Sequence, residues 1–262
     1  MPFESSAAAP QPTPFAPPTL DITVGSLISR TFGVWSHTMW KFLGFTVVLF
    51  LPVIAVAVVM GVGVAAGGGE SLRGNPGAIF GGVAILVPLL LLAALVQMGG
   101  VTYGAIQELA GRQVRFGGMF SAGLGRALPL IGAGILVGLC CMLGLVLLIV
   151  PGVILGCGLS VTFAIVVAER LGPIEAMKRS WALTGGFKGT YFLAAVVLGL
   201  ITLAINFATS LLGLIPILGQ IAAPLIQLLF MSLSTILPAV AYHDLRTQKE
   251  GTPTAELAKV FE

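Results

Sequence analysis

Of 262 residues, 57% are hydrophobic and only 9% are charged, against roughly a quarter charged in ordinary soluble domains. Thirteen basic and ten acidic residues cannot form the shell of a water-borne globule of this size, so lipid is the outer solvent and a soluble enzyme is excluded. The net charge of +3 is scattered over short segments between apolar runs, not gathered into a groove, and this excludes a nucleic-acid-binding module.

Residues 1–20 are rich in Pro and Ala and lack both a basic start and an uninterrupted apolar run, so a disordered tail is predicted there and not a secretory signal. The membrane domain is expected over 21–247, and a second tail over 248–262. One crossing of a hydrocarbon core about 30 Å thick takes roughly 20 helical residues. The uncharged run 42–69 therefore predicts helix 1, and the run 74–107, after a polar break near Glu70, Arg73, Asn75 and Pro76, predicts helix 2.

Between Arg126 and Glu169 lie 42 uncharged residues, roughly 63 Å as a single helix, so the chain must turn back; Pro151-Gly152 is the expected turn between helices 3 and 4. The run of 54 between Lys188 and His243 is divided by GLIPILG at 213–219 into helices 5 and 6. The segments on one side of these spans hold Arg30, Lys41, Arg112, Arg115, Arg126, Arg170, Lys178, Arg179, Lys188, Arg246, Lys249 and Lys259, whereas the other side holds only Arg73. By the positive-inside bias both termini are expected in the cytoplasm. The fold class is thus all-α: a polytopic bundle of six transmembrane helices.

A short segment with helical apolar spacing and basic residues precedes each odd span. It includes Arg30 and Trp35 before helix 1, Arg115 and Arg126 around the segment before helix 3, and Lys178, Arg179 and Trp181 before helix 5. Cationic, aromatic amphipathic helices suit the headgroup boundary, so three cytoplasmic interfacial helices are expected, with these seven residues as lipid contacts. Each even span ends in an acid followed by a base: Glu108 with Arg112, Glu169 with Arg170, Asp244 with Arg246. A threefold parallel repeat follows, with two readings of its acids: a ring at the cytoplasmic mouth, or three interfacial ion pairs with neighbouring bases.

Among intramembrane polar residues, Asn206, Gln227 and Gln97 are the candidates for a polar path, the first two expected near mid-membrane; the alternative role is interhelical hydrogen bonding. No charge falls mid-membrane, which argues against a proton-coupled pump or a voltage sensor. Four-residue steps pair Gly63 with Gly67, Gly100 with Gly104 and Gly152 with Gly156, for close helix approach within the bundle or between protomers. Pro52, Pro88, Pro216, Pro224 and Pro238 fall in or beside spans as kinks or breaks. Cys140, Cys141 and Cys157 have no metal-ligand or disulfide spacing and read as core residues. GGFKGT at 185–190 lacks the spacing and preceding strand of a phosphate-binding loop.

The stretch VPGVILGCGLSVTFAIVVAERLGPIEAMKRSWALTGGFKGTYFL at 150–193 resembles the membrane domain attached to some bacterial glycerophosphoryl diester phosphodiesterases and standalone relatives of that domain. LDITVGSLISRTFGVWSHTMWKFLGF looks like the family's lead-in and AYHDLRTQKEG like its closing helix end; GGFKG departs from the family's basic, aromatic junction. The resemblance implies a six-helix bacterial or archaeal plasma-membrane protein and no phosphodiesterase activity, since that chemistry uses a separate domain with paired histidines and a metal. No catalytic, cofactor or metal site is expected. The leading functional expectation is a non-enzymatic protein that handles lipids or small amphiphiles, with membrane lipids as partners. Its rival is a scaffold docking a protein on its basic cytoplasmic face; oligomeric state is left open.

Overall fold

The structure is a computed structural model that describes residues 22–66, 76–215 and 218–251. Both predicted tails fall largely outside the described residues, as do Gly67, Arg73, Pro216 and Lys259. Among the described residues every regular element is an α-helix: α1 (Val24–Ala66), α2 (Pro76–Leu109), α3 (Phe116–Gly125), α4 (Ala127–Leu147), α5 (Ile149–Gly158), α6 (Thr162–Ala168), α7 (Pro173–Leu183), α8 (Lys188–Leu212) and α9 (Leu218–Glu250). Six stretches are long and apolar enough to cross a membrane: Val24–Met60, Phe80–Leu109, Ala127–Leu147, Ile149–Ala168, Lys188–Leu212 and Leu225–Glu250. The chain is an all-α polytopic membrane protein.

Three boundaries differ from those expected. The segment carrying Arg30 and Trp35 is not a separate helix: it forms the first turns of the 43-residue α1. No breaker stands between it and the span, whereas α3 is set off from its span by Arg126, whose φ of −113° and ψ of 4° leave the helical well. The turn between the third and fourth spans falls at Leu148, which is extended at φ −170° and ψ 150°, and Pro151 sits three residues later in the first turn of α5. A proline there is tolerated because first-turn amides have no intrahelical acceptor. The C-terminal helix also continues past the expected domain end, to Glu250.

The fourth span is itself broken at 159–161, between α5 and α6. Breaking a helix in lipid frees backbone groups that need new partners. Here the Gly158 carbonyl accepts hydrogen bonds from Ser180 Oγ (2.8 Å) and Thr184 Oγ1 (3.0 Å), both carried by or capping α7. Trp181 stands against the same residue, with its ring 2.4 Å from where a Gly158 Cβ would stand. The distinctive PIEAMKRSWALT segment is therefore a clamp on the helix break, and only glycine fits beneath it.

Beyond the break, α6 is buried almost throughout, from Ala164 to Ala168. Around it the core gathers Phe42 and Phe45 of α1, Val101 and Ile106 of α2, Met119 of α3 and Ile236 and Tyr242 of α9. Close approach of α1 and α2 depends on two glycines of the expected pair: a Cβ on Gly100 would meet Phe45 at 2.5 Å, and one on Gly104 would meet Phe42 at 2.7 Å. Gly152 likewise packs against Gly144 and Leu145 across the α4–α5 turn. These glycine contacts lie within one chain.

Candidate functional site

Charge collects at one end of the bundle, where the α1 start, the α2 and α6 ends, α7 and the α9 end meet. Glu169 accepts hydrogen bonds from Arg179 Nε (3.0 Å) and from the Tyr242 hydroxyl (2.9 Å), to which Arg246 Nη1 in turn donates (2.8 Å). Arg179 Nη2 also reaches Glu250 Oε1 at 2.5 Å, and Arg246 Nε reaches Glu250 Oε2 at 3.2 Å. With Arg246 Nη1 3.8 Å from Glu169, two acids and two arginines alternate in a closed circuit that joins α6, α7 and α9. Partial burial opposes the charge on Arg179, but the hydrogen bonds and charges of Glu169 and Glu250 outweigh it and raise its pKa.

Beside this circuit the buried Asp244 forms an ion pair with Arg30 of α1, and His243 Nδ1 lies 3.2 Å from the same carboxylate. His243 Nε2 is buried with no hydrogen-bond partner among the described residues. Glu108 stands 3.6 Å from His37 Nδ1. Each of the three acids expected as a ring thus faces a base brought from another helix, and the circuit that does form alternates in sign. The partners expected from sequence adjacency also change: Glu169 pairs with Arg179 in place of Arg170, and Asp244 with Arg30 in place of Arg246. A carboxylate in a tightly packed helix end takes the base that geometry brings to it, and chain neighbours point to different sides of the helix.

The seven residues expected to contact lipid divide accordingly. Arg30 and Arg179 are engaged in the ion pairs just described, and Trp35 donates its indole N–H to the Leu229 carbonyl (3.2 Å) while stacking on Phe230 at 4.9 Å. Those three bind helices together instead of reaching outward. Arg115 and Lys178 are exposed, and Trp181, 42% exposed, lies under the Lys188 ammonium, 3.0 Å above its ring. Arg126 opens onto a small polar cavity.

The candidate polar path resolves differently. Asn206 of α8 and Gln227 of α9 line one cavity of about 510 Å³ with Phe50 and Ile54 of α1, Thr202 and Ser234. An adjoining cavity of about 410 Å³ shares Thr202, Asn206 and Ser234 and extends to Tyr191 near the charged end. Together they form a cleft along the α8–α9 seam that opens at the side of the bundle, where Leu203, Phe207, Leu225 and Met231 are exposed. Asn206 donates to the Thr202 carbonyl (2.9 Å).

Asn206 stands eighteen residues from Lys188, about 27 Å along α8, and Gln227 is similarly far from Asp244 along α9, so both lie nearer the end of the bundle opposite the charged one. One correction follows. Gln97 belongs elsewhere: it is buried between α1 and α2, with Nε2 3.5 Å from Thr46 Oγ1 and Oε1 lacking a partner among the described residues. The residues that extend the track, Tyr191, Thr202 and Ser234, were not singled out in the sequence. Their only signal there was a hydroxyl on one helix face in an otherwise apolar span.

Among the described residues no three of His, Cys, Asp and Glu gather as a metal-binding group. No protein-family model, curated protein or solved structure matches the chain. Fold and site together define the class: a six-span helical membrane protein with a network of ion pairs at its charged end and, along its C-terminal hairpin, a side-opening and mostly apolar cleft that carries a few polar side chains.

Proposed function

We propose that this protein assists the passage or handling of membrane lipids or small amphiphiles, without catalysing a covalent reaction. The observation that carries this reading is the cleft along α8 and α9. Its two cavities share Thr202, Asn206 and Ser234 and reach from Tyr191 to Gln227, so a polar headgroup in the stretch between Thr202 and Gln227 would meet several hydrogen-bonding side chains while its acyl chains stay in the bilayer. A headgroup without such partners would lose roughly 1–3 kcal/mol per unsatisfied group. The cavity volumes fall in the range of small-ligand sites, about 300–1,000 Å³.

The plasma membrane of a bacterium or archaeon is the proposed location, with the charged end in the cytoplasm, in keeping with the basic bias of the loops and with the resemblance to the phosphodiesterase-associated membrane domain. A docking-scaffold reading would rest on the exposed Arg115 and Lys178, since Arg30, Arg179 and Arg246 spend their charge on Asp244, Glu169 and Glu250.

The test is a fluorescent-lipid translocation assay in reconstituted vesicles. The intact protein should speed exchange of a headgroup-bearing probe between leaflets, and Asn206→Leu with Gln227→Leu should slow it about tenfold, the equivalent of about 1.4 kcal/mol. Vesicles with the protein that exchange no faster than protein-free ones would overturn the reading.

A further inference from the structure

A third cavity, of about 290 Å³, lies at the charged end between α2, α3 and the end of α6, lined by Tyr103, Ser121, Gly125, Arg126, Val167 and Arg170. Its two guanidinium groups arrive from different parts of the chain, Arg126 from the α3–α4 junction and Arg170 from the turn after α6. In contrast to Arg30, Arg179 and Arg246, neither has an ion-pair partner among the described residues. Like charges facing one cavity repel, an effect that water at the exposed Arg170 weakens. Burial first, and the Arg170 charge second, lower the pKa of Arg126.

The backbone at Arg170 adds a second cost. Its φ is 56°, in the left-handed region, and the other described residues with positive φ are Gly111, Gly186 and Gly251. A side chain there costs on the order of 1 kcal/mol that glycine avoids. An arginine stands where the turn favours glycine, and its side chain lines the same cavity as Arg126. Both costs are offset if an anion sits between the two cations.

We propose that Arg126 and Arg170 form a binding site for a phosphate group, as the headgroup of an anionic lipid or as free phosphate. Planar guanidinium groups bind phosphate oxygens through paired, charge-assisted hydrogen bonds, and the cavity volume suits a group of that size more than a whole lipid. Arg126 immediately precedes the membrane-crossing Ala127–Leu147 helix, so the site stands at the depth of lipid headgroups. This site is separate from the α8–α9 cleft and does not depend on the function proposed for it.

The test uses the full chain in dodecyl maltoside, a detergent without phosphate, titrated calorimetrically with inorganic phosphate and with dioctanoyl phosphatidate. Saturable binding of at least one is expected, weakened at least tenfold by Arg170→Gly and by Arg126→Gln and within twofold of the parent in Lys41→Gln, a cation of α1 outside the cavity. The glycine variant suits the left-handed backbone, so it keeps the test valid should Arg126→Gln misfold. Binding of phosphatidate that inorganic phosphate does not displace identifies the lipid source, and binding of both in competition, or of inorganic phosphate alone, identifies the free anion as a ligand. No saturable binding of either probe, or equal loss in Lys41→Gln and Arg170→Gly, overturns the proposal.

Discussion

The two ends of this bundle are built on different principles. At the charged end, α6 is enclosed by α2, α7 and α9, and arginines, acids and a tyrosine lock the helices to one another. Toward the other end large apolar side chains face outward: Val59 is 72% exposed, Phe80 74% and Val146 79%. The polar groups there, Asn206 and Gln227, line an open cleft instead of an enclosed network. In lipid, apolar surface gains little from being covered by more protein, so packing density concentrates where polar groups and helix breaks demand partners. One end holds the fold together, and the other carries the cleft on which the proposed function rests.

This contrast can be broken most severely at Asp244. The carboxylate is 3% exposed and paired with Arg30; Asp244→Ala leaves a partly buried cation without its partner and should cost about 3–5 kcal/mol in equilibrium unfolding in mixed micelles. Replacing both residues, Arg30→Met with Asp244→Leu, should restore most of that loss. If the single variant is as stable as the parent, the charged end is not the source of stability.

A smaller effect is expected at the helix break. Gly158→Ala pushes a methyl into the Trp181 ring, and overpacking of that kind costs about 1–3 kcal/mol. Trp181→Ala in the same chain should suppress the effect, and the double-mutant cycle measures the contact directly. Removing both hydroxyls that cap Gly158, with Ser180→Ala and Thr184→Ala, should cost about as much as leaving one buried carbonyl unsatisfied, about 1–3 kcal/mol. Either single replacement leaves the other donor in place and should cost less than half of that.

At the open end, Asn206→Leu and Gln227→Leu should each change stability by about 0.6 kcal/mol or less, the ordinary scale of a polar contact in a membrane bundle. A stability loss comparable to that at Asp244 would make Asn206 a packing residue and remove the contrast between the two ends. The same variants are expected to have their main effect on lipid exchange, so stability and function separate at this end of the molecule.

The six spans were legible in the amino-acid sequence because the bilayer imposes a length and a composition that do not depend on neighbours: about 20 apolar residues per crossing. The GLIPILG break between the last two spans was legible for the same reason, since 54 uncharged residues cannot cross once. Within a span the hydropathy signal carries no such detail. The turn at Leu148 and the break after Gly158 lie inside apolar runs where composition does not change, and Pro151 pointed to a turn three residues away from the real one.

Partnership was decided by tertiary structure alone. Arg30 and Asp244 stand 214 residues apart, and Glu250 completes the circuit from what the sequence suggested was a tail. Trp35 and Arg179 have the composition of lipid contacts, yet their helix faces turn inward on assembly. Arg126 and Arg170 read as two unrelated loop cations until the α3–α4 junction and the turn after α6 bring them to one cavity. The sequence by itself determined how often the chain crosses lipid and which residues carry charge, because solvent transfer acts residue by residue. Which charges cancel, which helix breaks are clamped and which polar groups share a cleft depend on distances between distant segments, and only the folded bundle sets those.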